Sequence, residues 1–579
     1  MALRRVMILA LLVALAASGC ASPGSSGASR TGNEARPANA PNPSAEKTVR
    51  VAVRYEIDNL ATKVLGPNSP TITRRFFNAS QALIDDKGVA RPYLAETLPQ
   101  LNTDTWKVFP DGRMETTYTL RPNLTWHDGQ PLTAEDFVFA YWLYKAPSLG
   151  YFSPDPQDAV DDVVALDDRT VIIHWNSLFF DAGSLREDYL DPLPKHILER
   201  PFTTFVQDPS AREAFLNLPF WTQEYIGAGP YKLTQWVPGA QLEGVAFDGH
   251  ALGKPKIGRI ILRLFNDENT TLTNLLSSNL DITVPFALRY EHGEVLRNDW
   301  EPRGSGKVLS IPGSNSASVV QFRPEYQKTR GLLDLRVRRA IAHAIDKNAV
   351  NEGVFDGRGY PVDTFMSPLM PYFAQLDRTI AKYPYDPRRS EQLMNEAGYS
   401  RGGDGMFASA TGERFKPDFW VTAGSQYERH QAIITEGWKR AGIDAEPWAI
   451  PLALGRQNEV RATFPGLTQI GGGSTEDSVM KNFISSQIGS AGNAWRGSNR
   501  GGWSSAEIDR LWDTYGVTLE PAERTNLIIG MSKLMSEEIP GYPLYANINV
   551  RAQAAALAAN LDEVVITTPS WNVHEWEFR

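Results

Sequence analysis

Residues 111–145 read DGRMETTYTLRPNLTWHDGQPLTAEDFVFAYWLYK, and three local patterns follow one another in this stretch. After a DG turn, a period-2 pattern over residues 114–120 predicts a β-strand with one buried face. A second DG turn leads to Thr133-Ala-Glu-Asp136, whose hydroxyl and carboxylate can accept hydrogen bonds from free N–H groups at a helix start. The stretch therefore predicts a strand, a turn and a capped helix.

The same stretch also carries a spaced set of residues that is specific for a family. These residues are Leu120, Arg121, Trp126, His127, Asp128, Gly129, Pro131, Leu132, Thr133, Ala134, Asp136 and Phe137. They resemble the signature of the family 5 extracellular solute-binding proteins of ABC importers, which include oligopeptide, dipeptide and nickel binders. Because that signature is structural, the resemblance implies that His127 and Asp128 are turn and packing residues.

Other segments from Thr48 to the C-terminus resemble the same family. They are PKHIL at 194–198, GAGPY at 227–231, DLRVRRAIAHAID at 334–346 and YDP at 385–387. The resemblance implies an α/β, two-lobed periplasmic-binding-protein-like fold (class II, cluster C). It also implies an extra subdomain in the first lobe and hinge strands between the lobes.

The resemblance further implies how the chain is divided. The first lobe is expected over residues 48–305, with an inserted subdomain at about 86–184. It follows a lipoprotein signal peptide (1–20) and a disordered tether (21–47), which the composition of those residues predicts. Residues 306–540 form the second lobe, and residues 541–579 return to the first lobe.

Local patterns predict several helices. Residues 73–83 are expected to be helical, and residues 334–350 are expected to form one amphipathic helix whose arginines lie on a solvated or ion-pairing face. Asp386 and Pro387 are expected to start another helix, because Asp is a good N-cap and Pro fits the first helical position.

Composition limits the function classes. With 579 residues, 42% of them hydrophobic, the chain is too long for one compact core, so at least two lobes are expected. The net charge is −9 and the basic residues are scattered, so no nucleic-acid partner is expected. One cysteine excludes a disulfide within the chain and a site of several thiolates. No cofactor or metal is expected, and we expect a monomer.

That single cysteine, Cys20, follows two positive charges and an apolar run over residues 6–17. Ala17-Ser18-Gly19-Cys20 is typical of a bacterial lipoprotein cleavage site, and the Ser-, Gly- and Pro-rich residues 21–47 cannot bury enough surface to fold. We expect lipid attachment at Cys20 and a location on the outer face of the cell membrane or in the periplasm. The alternative is a signal peptide with an incidental cysteine.

A binding function and a hydrolase function are both compatible with an exported chain. The chain has no G-x-S-x-G elbow, H-E-x-x-H motif, phosphate loop or cysteine nucleophile. A tethered hydrolase acting on glycan or peptide stays open as the alternative, because two facing carboxylates suffice for glycoside hydrolysis. The family resemblance favours a non-enzymatic receptor that holds a peptide or similar polar solute between its lobes and meets ABC permease subunits in the membrane.

Candidate ligand-binding residues are polar or aromatic groups on loops expected to face the cleft. They are Tyr55, Glu56, Tyr151, Phe152, Trp495, Asn499, Trp503 and Tyr545. Each could instead be a core or surface residue.

A departure from the family concerns ligand choice. Peptide-binding members commonly hold the ligand's α-ammonium with an aspartate in a D-x-x-DP-type segment, and by spacing that position falls near Gly472. Either Glu476 or Asp477 supplies the carboxylate from a shifted loop, or the ligand lacks a free amino terminus. We include Gly472 and Asp477 among the candidate residues.

Overall fold

Two long strands run through the middle of the protein and organise its computed structural model. The structure describes residues 47–54, 56–57, 59–61, 63–64, 71–146, 149, 156–455, 457–473, 475–559 and 569–579. The β-strands are, in chain order, β1 Thr48–Val53, β2 Ala82–Ile84, β3 Ala90–Pro92, β4 Trp106–Val108, β5 Met114–Thr119, β6 Val160–Asp167, β7 Thr170–Trp175, β8 Tyr231–Val237, β9 Gln241–Ala246, β10 Arg259–Leu264, β11 Ile282–Thr283, β12 Gly306–Val320, β13 Tyr360–Pro361, β14 Tyr399–Arg401, β15 Phe407–Ser409, β16 Asp418–Thr422, β17 Glu446–Ile450, β18 Leu467–Gly471, β19 Gly541–Ala554, β20 Leu557–Ala558 and β21 Glu577–Phe578.

The α-helices are interspersed with these strands. In chain order they are α1 Thr71–Arg74, α2 Ala134–Tyr144, α3 Lys195–Gln207, α4 Arg212–Leu216, α5 Glu268–Leu276, α6 Tyr290–Val295, α7 Leu335–His343, α8 Lys347–Phe355, α9 Phe373–Thr379, α10 Pro387–Glu396, α11 Ser425–Arg440, α12 Leu452–Gly455, α13 Asn458–Ala462, α14 Glu476–Met480, α15 Ala506–Gly516 and α16 Pro521–Glu538. Among the described residues, no helix combines the length and the apolar character that a membrane span requires.

The main sheet has the strand order β17-β16-β18-β12-β19-β11-β1-β10-β9-β8, with β13 also paired to β19. We call β12 and β19 the hinge strands. At one end of the pair β18 bonds to β12 over residues 316–320, and towards the other end β11 pairs with β19 at Gln553. The intervening stretch therefore connects two groups of strands. Together with the mixed α/β content, this arrangement of strands confirms the predicted two-lobed fold with hinge strands.

The smaller, four-stranded sheet has the order β4-β5-β7-β6 and contains the strand of the diagnostic stretch. Met114, Thr116 and Tyr118 of β5 are buried while their neighbours are partly exposed, as the period-2 pattern predicts. The helix that follows has Thr133 as its N-cap, and the Thr133 backbone N–H donates to Asp136 Oδ2 at 2.9 Å. The predicted strand, turn and capped helix are thus confirmed.

His127 joins two of the family motifs inside the core. It is buried, its Nδ1 accepts from the Gly227 N–H at 3.2 Å, and its Nε2 donates to the Gly229 carbonyl at 3.0 Å. Burial lowers the pKa of His127 to about 4, so the ring is neutral at physiological pH. Next to it, Asp128 Oδ2 lies 2.8 Å from His196 Nε2 of the PKHIL segment. The structural role predicted for His127 and Asp128 is confirmed.

The helix predicted over residues 73–83 is wrong. The helix α1 ends at Arg74, and residues 82–84 form β2. The reason lies elsewhere in the chain: the N–H groups of Gly229 and Tyr231 donate to the carbonyls of Phe77 and Phe76, at 2.9 Å each. A Cβ on Gly229 would lie only 2.3 Å from the Phe77 carbonyl carbon, so glycine permits this approach.

The single helix predicted over residues 334–350 is divided in two. The helix α7 ends at His343, and α8 begins after Asp346, whose side chain accepts from the Ala349 N–H at 2.9 Å. Arg338 does not lie on a solvated face. It is buried, and its guanidinium donates to the carbonyls of Leu333 and Glu538. The helix start at Asp386 and Pro387 is confirmed.

Candidate ligand cleft

The central part of the hinge strands is rich in buried polar groups. Asn315 is fully buried, and its Nδ2 donates to the carbonyls of Thr364 at 2.9 Å and Met366 at 2.7 Å. Asn547 of β19 donates to the Ser314 carbonyl at 2.8 Å and accepts from Gln426 Nε2 at 2.8 Å. These bonds fix the polar side chains in the central part of the hinge strands.

Tyr545, one of the predicted ligand residues, lies within the second group of strands and helices. Its ring centroid is 5.0 Å from that of Phe355, and its hydroxyl lies 2.8 Å from Nδ1 of His430. Burial raises the pKa of Tyr545 and lowers that of His430 to about 3, so both side chains are neutral. Tyr545 therefore has a packing role here, and its contact with ligand stays a prediction.

Gly472 lies directly against a hinge strand. Its N–H donates to the Asn315 carbonyl, and a Cβ at this position would lie 3.0 Å from that oxygen. Two carboxylates follow at the start of α14. Glu476 accepts from the Tyr372 hydroxyl at 2.9 Å, and Asp477 pairs with Lys481 at 2.9 Å. Both acids thus have partners within the protein.

Trp495 lies in a half-buried aromatic and basic cluster. Its backbone has a φ of 59°, and its ring centroid lies 6.0 Å from that of Tyr326. The Arg323 guanidinium carbon is 5.8 Å from the Trp495 ring, and its Nη1 donates to the Gly489 carbonyl at 2.7 Å. Arg323, which no local pattern indicates, therefore holds the loop that presents Trp495.

Asn499 and Trp503 are predicted to lie on a loop and face the cleft. In the structure both side chains are buried. The Asn499 Nδ2 donates to the carbonyls of Ile484 at 3.1 Å and Trp503 at 2.7 Å, and its Oδ1 accepts from the Gly502 N–H at 3.0 Å. Trp503 is buried in a core cluster with Phe483. The Asn499 amide thus holds the loop through three backbone groups, Trp503 packs in the core, and contact of either residue with ligand stays a prediction.

Glu56 follows β1, and its Oε1 accepts from the Gly239 N–H at 2.8 Å, which ties the loop to the β8–β9 turn. The other predicted positions, Cys20, Tyr55, Tyr151 and Phe152, lie outside the described residues. Within the described ranges, no three His, Cys, Asp or Glu side chains are grouped so that they could hold a metal ion.

One contact that the sequence did not indicate joins residues predicted for different lobes. Phe180, from the region predicted as first lobe, lies under Arg524, whose guanidinium carbon is 3.3 Å from the ring centroid. The Phe180 ring is also 5.5 Å from that of Tyr515, and Arg524 Nη2 donates to the Tyr515 hydroxyl at 2.6 Å. We call Phe180, Tyr515 and Arg524 the aromatic clasp.

A charged contact lies near the aromatic clasp. Arg186 Nη2 donates to the Tyr189 hydroxyl at 3.1 Å, and that hydroxyl donates to Asp181 Oδ2 at 2.7 Å. Burial lowers the pKa of Arg186, whereas Tyr189, Asp181 and, more weakly, Asp477 raise it. The net shift of the Arg186 pKa is upward. Asp477, on α14, is the weakest of these influences, and it forms an ion pair with Lys481.

The sheet, the hinge strands and the contacts between the two parts define a two-lobed binding protein of the periplasmic type. The family model for bacterial extracellular solute-binding proteins, family 5, matches residues 96–493, which is more than half of the 579-residue chain. The chain belongs to this family. Its members are binding proteins, so the chain is a binding protein and not an enzyme, which rules out the hydrolase alternative.

Individual relatives have low sequence identity to this chain but align with most of its length. Haem-binding protein A of Haemophilus influenzae is 22% identical over 501 residues, 81% of this chain and 82% of the relative. Oligopeptide-binding protein AppA of Bacillus subtilis is 24% identical over 387 residues, 65% of this chain and 66% of the relative. The crystal structure of an oligopeptide-binding protein from Thermus thermophilus with a pentapeptide has a TM-score of 0.75 at 23% identity, covering 92% of this chain and 96% of that one.

Proposed function

We propose that this protein captures a peptide or a similar polar solute between two lobes and delivers it to the permease of an ABC importer. The lobes are residues 48–305 and 306–540, with residues 541–579 returning to the first. Lipid on Cys20 holds the protein at the outer face of the cell membrane, and residues 21–47 act as its tether. The family's name as extracellular solute-binding proteins supports a place in the cell envelope.

The observation that carries the proposal is the pair of hinge strands. Twelve register pairs join them, from Gly306 with Ala554 to Val319 with Gly541, and the flanking strands attach towards opposite ends of the pair. Bending of the middle stretch moves the two groups of strands as bodies, and a solute that contacts both stabilises the closed form. The aromatic clasp supplies protein contacts that belong to that closed form.

The ligand class rests on Gly472 and its surroundings. No side-chain carboxylate is available at Gly472 itself, while Glu476 and Asp477 are held by Tyr372 and Lys481. We therefore favour a solute without a free amino terminus, such as a blocked peptide, over an ordinary free peptide.

Calorimetric titration with a pool of di- to pentapeptides and with its N-acetylated counterpart tests this preference. We expect the acetylated pool to bind at least as tightly as the free pool. Tight binding of free peptides that is abolished both by acetylation and by Asp477→Asn would show instead that Asp477 anchors an α-ammonium.

The lipid anchor is tested by Cys20→Ala. Removal of the acyl chains removes the anchor, so we expect the variant to move from the membrane fraction to the soluble fraction. A variant at Ser18, Ser18→Ala, keeps the cysteine and is the matched control. An unchanged distribution of Cys20→Ala would contradict the anchor and leave the binding function untouched.

A further inference from the structure

Arg551 is a buried cation for which the described residues supply no counter-ion. It lies on β19, its residue is only 3% exposed, and its Nε and Nη1 have no hydrogen-bond partner in the described part of the chain. Two other buried arginines differ in this respect. Arg338 donates to the carbonyls of Leu333 and Glu538, and Arg75 donates to the Tyr93 hydroxyl at 2.8 Å. The Arg551 guanidinium therefore differs from those of Arg338 and Arg75, because its Nε and Nη1 donate to no acceptor among the described residues.

Such a group is costly to bury. A guanidinium removed from water without an anion or acceptor loses its hydration and gains nothing in return. Burial, with no other influence of note, lowers the pKa of Arg551 to about 10. The side chain is still charged at pH 7, since the pKa remains above the ambient pH by a wide margin. An anion bound beside the guanidinium would offset this cost.

The strand pairing places Arg551 towards one end of the hinge strands, two residues from Gln553, where β11 pairs with β19. Its partner on β12 is Leu309, and the irregularities in the hinge pairing begin only beyond Pro312. The position is thus between Gln553, where β11 pairs with β19, and residues 316–320, where β18 pairs with β12. Arg551 therefore lies in the stretch that joins the two groups of strands.

Register also fixes the face of the sheet on which Arg551 lies. Val51 pairs with Ile282, and Ile282 pairs with Gln553, which is two residues from Arg551. Paired residues share a face of a sheet, and so do residues two apart on one strand. Arg551 therefore shares a face with Val51 and Val53 of β1, the strand that leads into the loop of Glu56. Tyr55 and Glu56 of that loop are predicted ligand contacts.

We propose that Arg551 is the subsite for a carboxylate group of the bound solute, which supplies the missing counter-ion and accepts from Nε and Nη1. This inference rests on the proposed function and narrows it. It agrees with the wall at Gly472, which offers no side-chain carboxylate for a ligand's α-ammonium. The cleft is thus suited to recognise the acidic end of a solute instead of an amino terminus.

The test is calorimetric titration of the full-length protein with two pools of N-acetylated di- to pentapeptides, one with free C-terminal carboxylates and one with C-terminal amides. Arg551→Met removes the charge at similar volume, and Arg551→Lys keeps a charge without the guanidinium fork. Arg113→Met is the matched control, because Arg113 is exposed and its guanidinium pairs with the neighbouring Asp111. Thermal unfolding of each variant is recorded without added peptide.

We expect the unsubstituted parent protein to bind the carboxylate pool about 10- to 100-fold more tightly than the amide pool. The reason is that the C-terminal amide lacks the charge that accepts hydrogen bonds from Arg551. Arg551→Met should bind both pools equally weakly, Arg551→Lys should fall between, and Arg113→Met should match the parent. In the absence of peptide, Arg551→Met should unfold at a higher temperature than the parent, since it relieves an unpaired buried charge. A structural arginine would give the opposite shift.

Acetate at 10–100 mM separates failure of the subsite from failure of the proposed function. If the parent binds both peptide pools equally and Arg551→Met changes neither, the subsite is wrong and the binding function stands. If neither pool binds but acetate raises the unfolding temperature of the parent and not that of Arg551→Met, the subsite stands and the peptide class is wrong. If neither peptide nor acetate has an effect, both are wrong.

Discussion

The aromatic clasp gives the sharpest prediction about closure, through the substitution Phe180→Ala. The Phe180 ring contacts the Arg524 guanidinium at 3.3 Å and lies 5.5 Å from the Tyr515 ring. A cation–π contact of this kind contributes about 0.5–2 kcal/mol, and an aromatic pair adds about 0.5–1.5 kcal/mol. The substitution should therefore disfavour the closed form by about 1–3.5 kcal/mol, or about 5- to 300-fold.

The assay is the dissociation constant of the peptide pool, measured by calorimetry. Because the ligand binds the closed form, the apparent Kd should rise by the same factor. Phe109→Ala is the control, since Phe109 is 39% exposed and is not one of the clasp residues. In the background of Arg524→Met, Phe180→Ala should have a smaller effect, because the two residues act together. An unchanged Kd, or fully additive effects of the two substitutions, would refute the reasoning.

Three further predictions concern stability. Gly229→Ala should lower the free energy of unfolding by about 2–4 kcal/mol in urea titrations, because the new Cβ would lie 2.3 Å from the Phe77 carbonyl carbon. Gly403→Ala is the control and should be nearly neutral, because a Cβ there meets nothing within 4 Å. Burial raises the pKa of Asp191 to about 8, so the folded state binds its proton more tightly than the unfolded chain, and this contribution to stability should fall as pH rises from about 4 to 8. Asp191→Asn should remove that part of the slope, and an unchanged slope would contradict the shift. Asp128→Asn should cost less than about 1 kcal/mol, because the pair with His196 is about one-third exposed on both sides, and a larger loss would mean that this pair anchors the PKHIL segment.

Local chemistry explains which elements the sequence could predict. The capped helix after Thr133 and the one after Asp386 follow from side chains that bond to their own neighbouring backbone, so a short window contains all the information. The helix wrongly predicted over residues 73–83 fails for the opposite reason. The carbonyls of Phe76 and Phe77 bind residues about 150 positions later, and no local pattern reveals that.

The candidate site divides in the same way. Spacing predicts Gly472 as a ligand residue; the structure places it against a hinge strand, and its contact with ligand stays a prediction. Asn499 and Trp503 were chosen for residue type, yet their side chains serve the loop itself. Phe180 and Arg551 were missed, because an aromatic ring beside a distant arginine and a cation that lacks a partner among the described residues are properties of the folded chain.

Closure on a solute is the central claim, and solution scattering tests it most directly. The radius of gyration of the full-length protein is measured with and without a saturating pool of di- to pentapeptides, and the pool is analysed afterwards for cleavage. We predict a smaller radius of gyration with peptide, by contacts that join the two lobes, and an intact pool. Saturable binding with an unchanged radius of gyration would contradict the claim that the lobes close on their ligand.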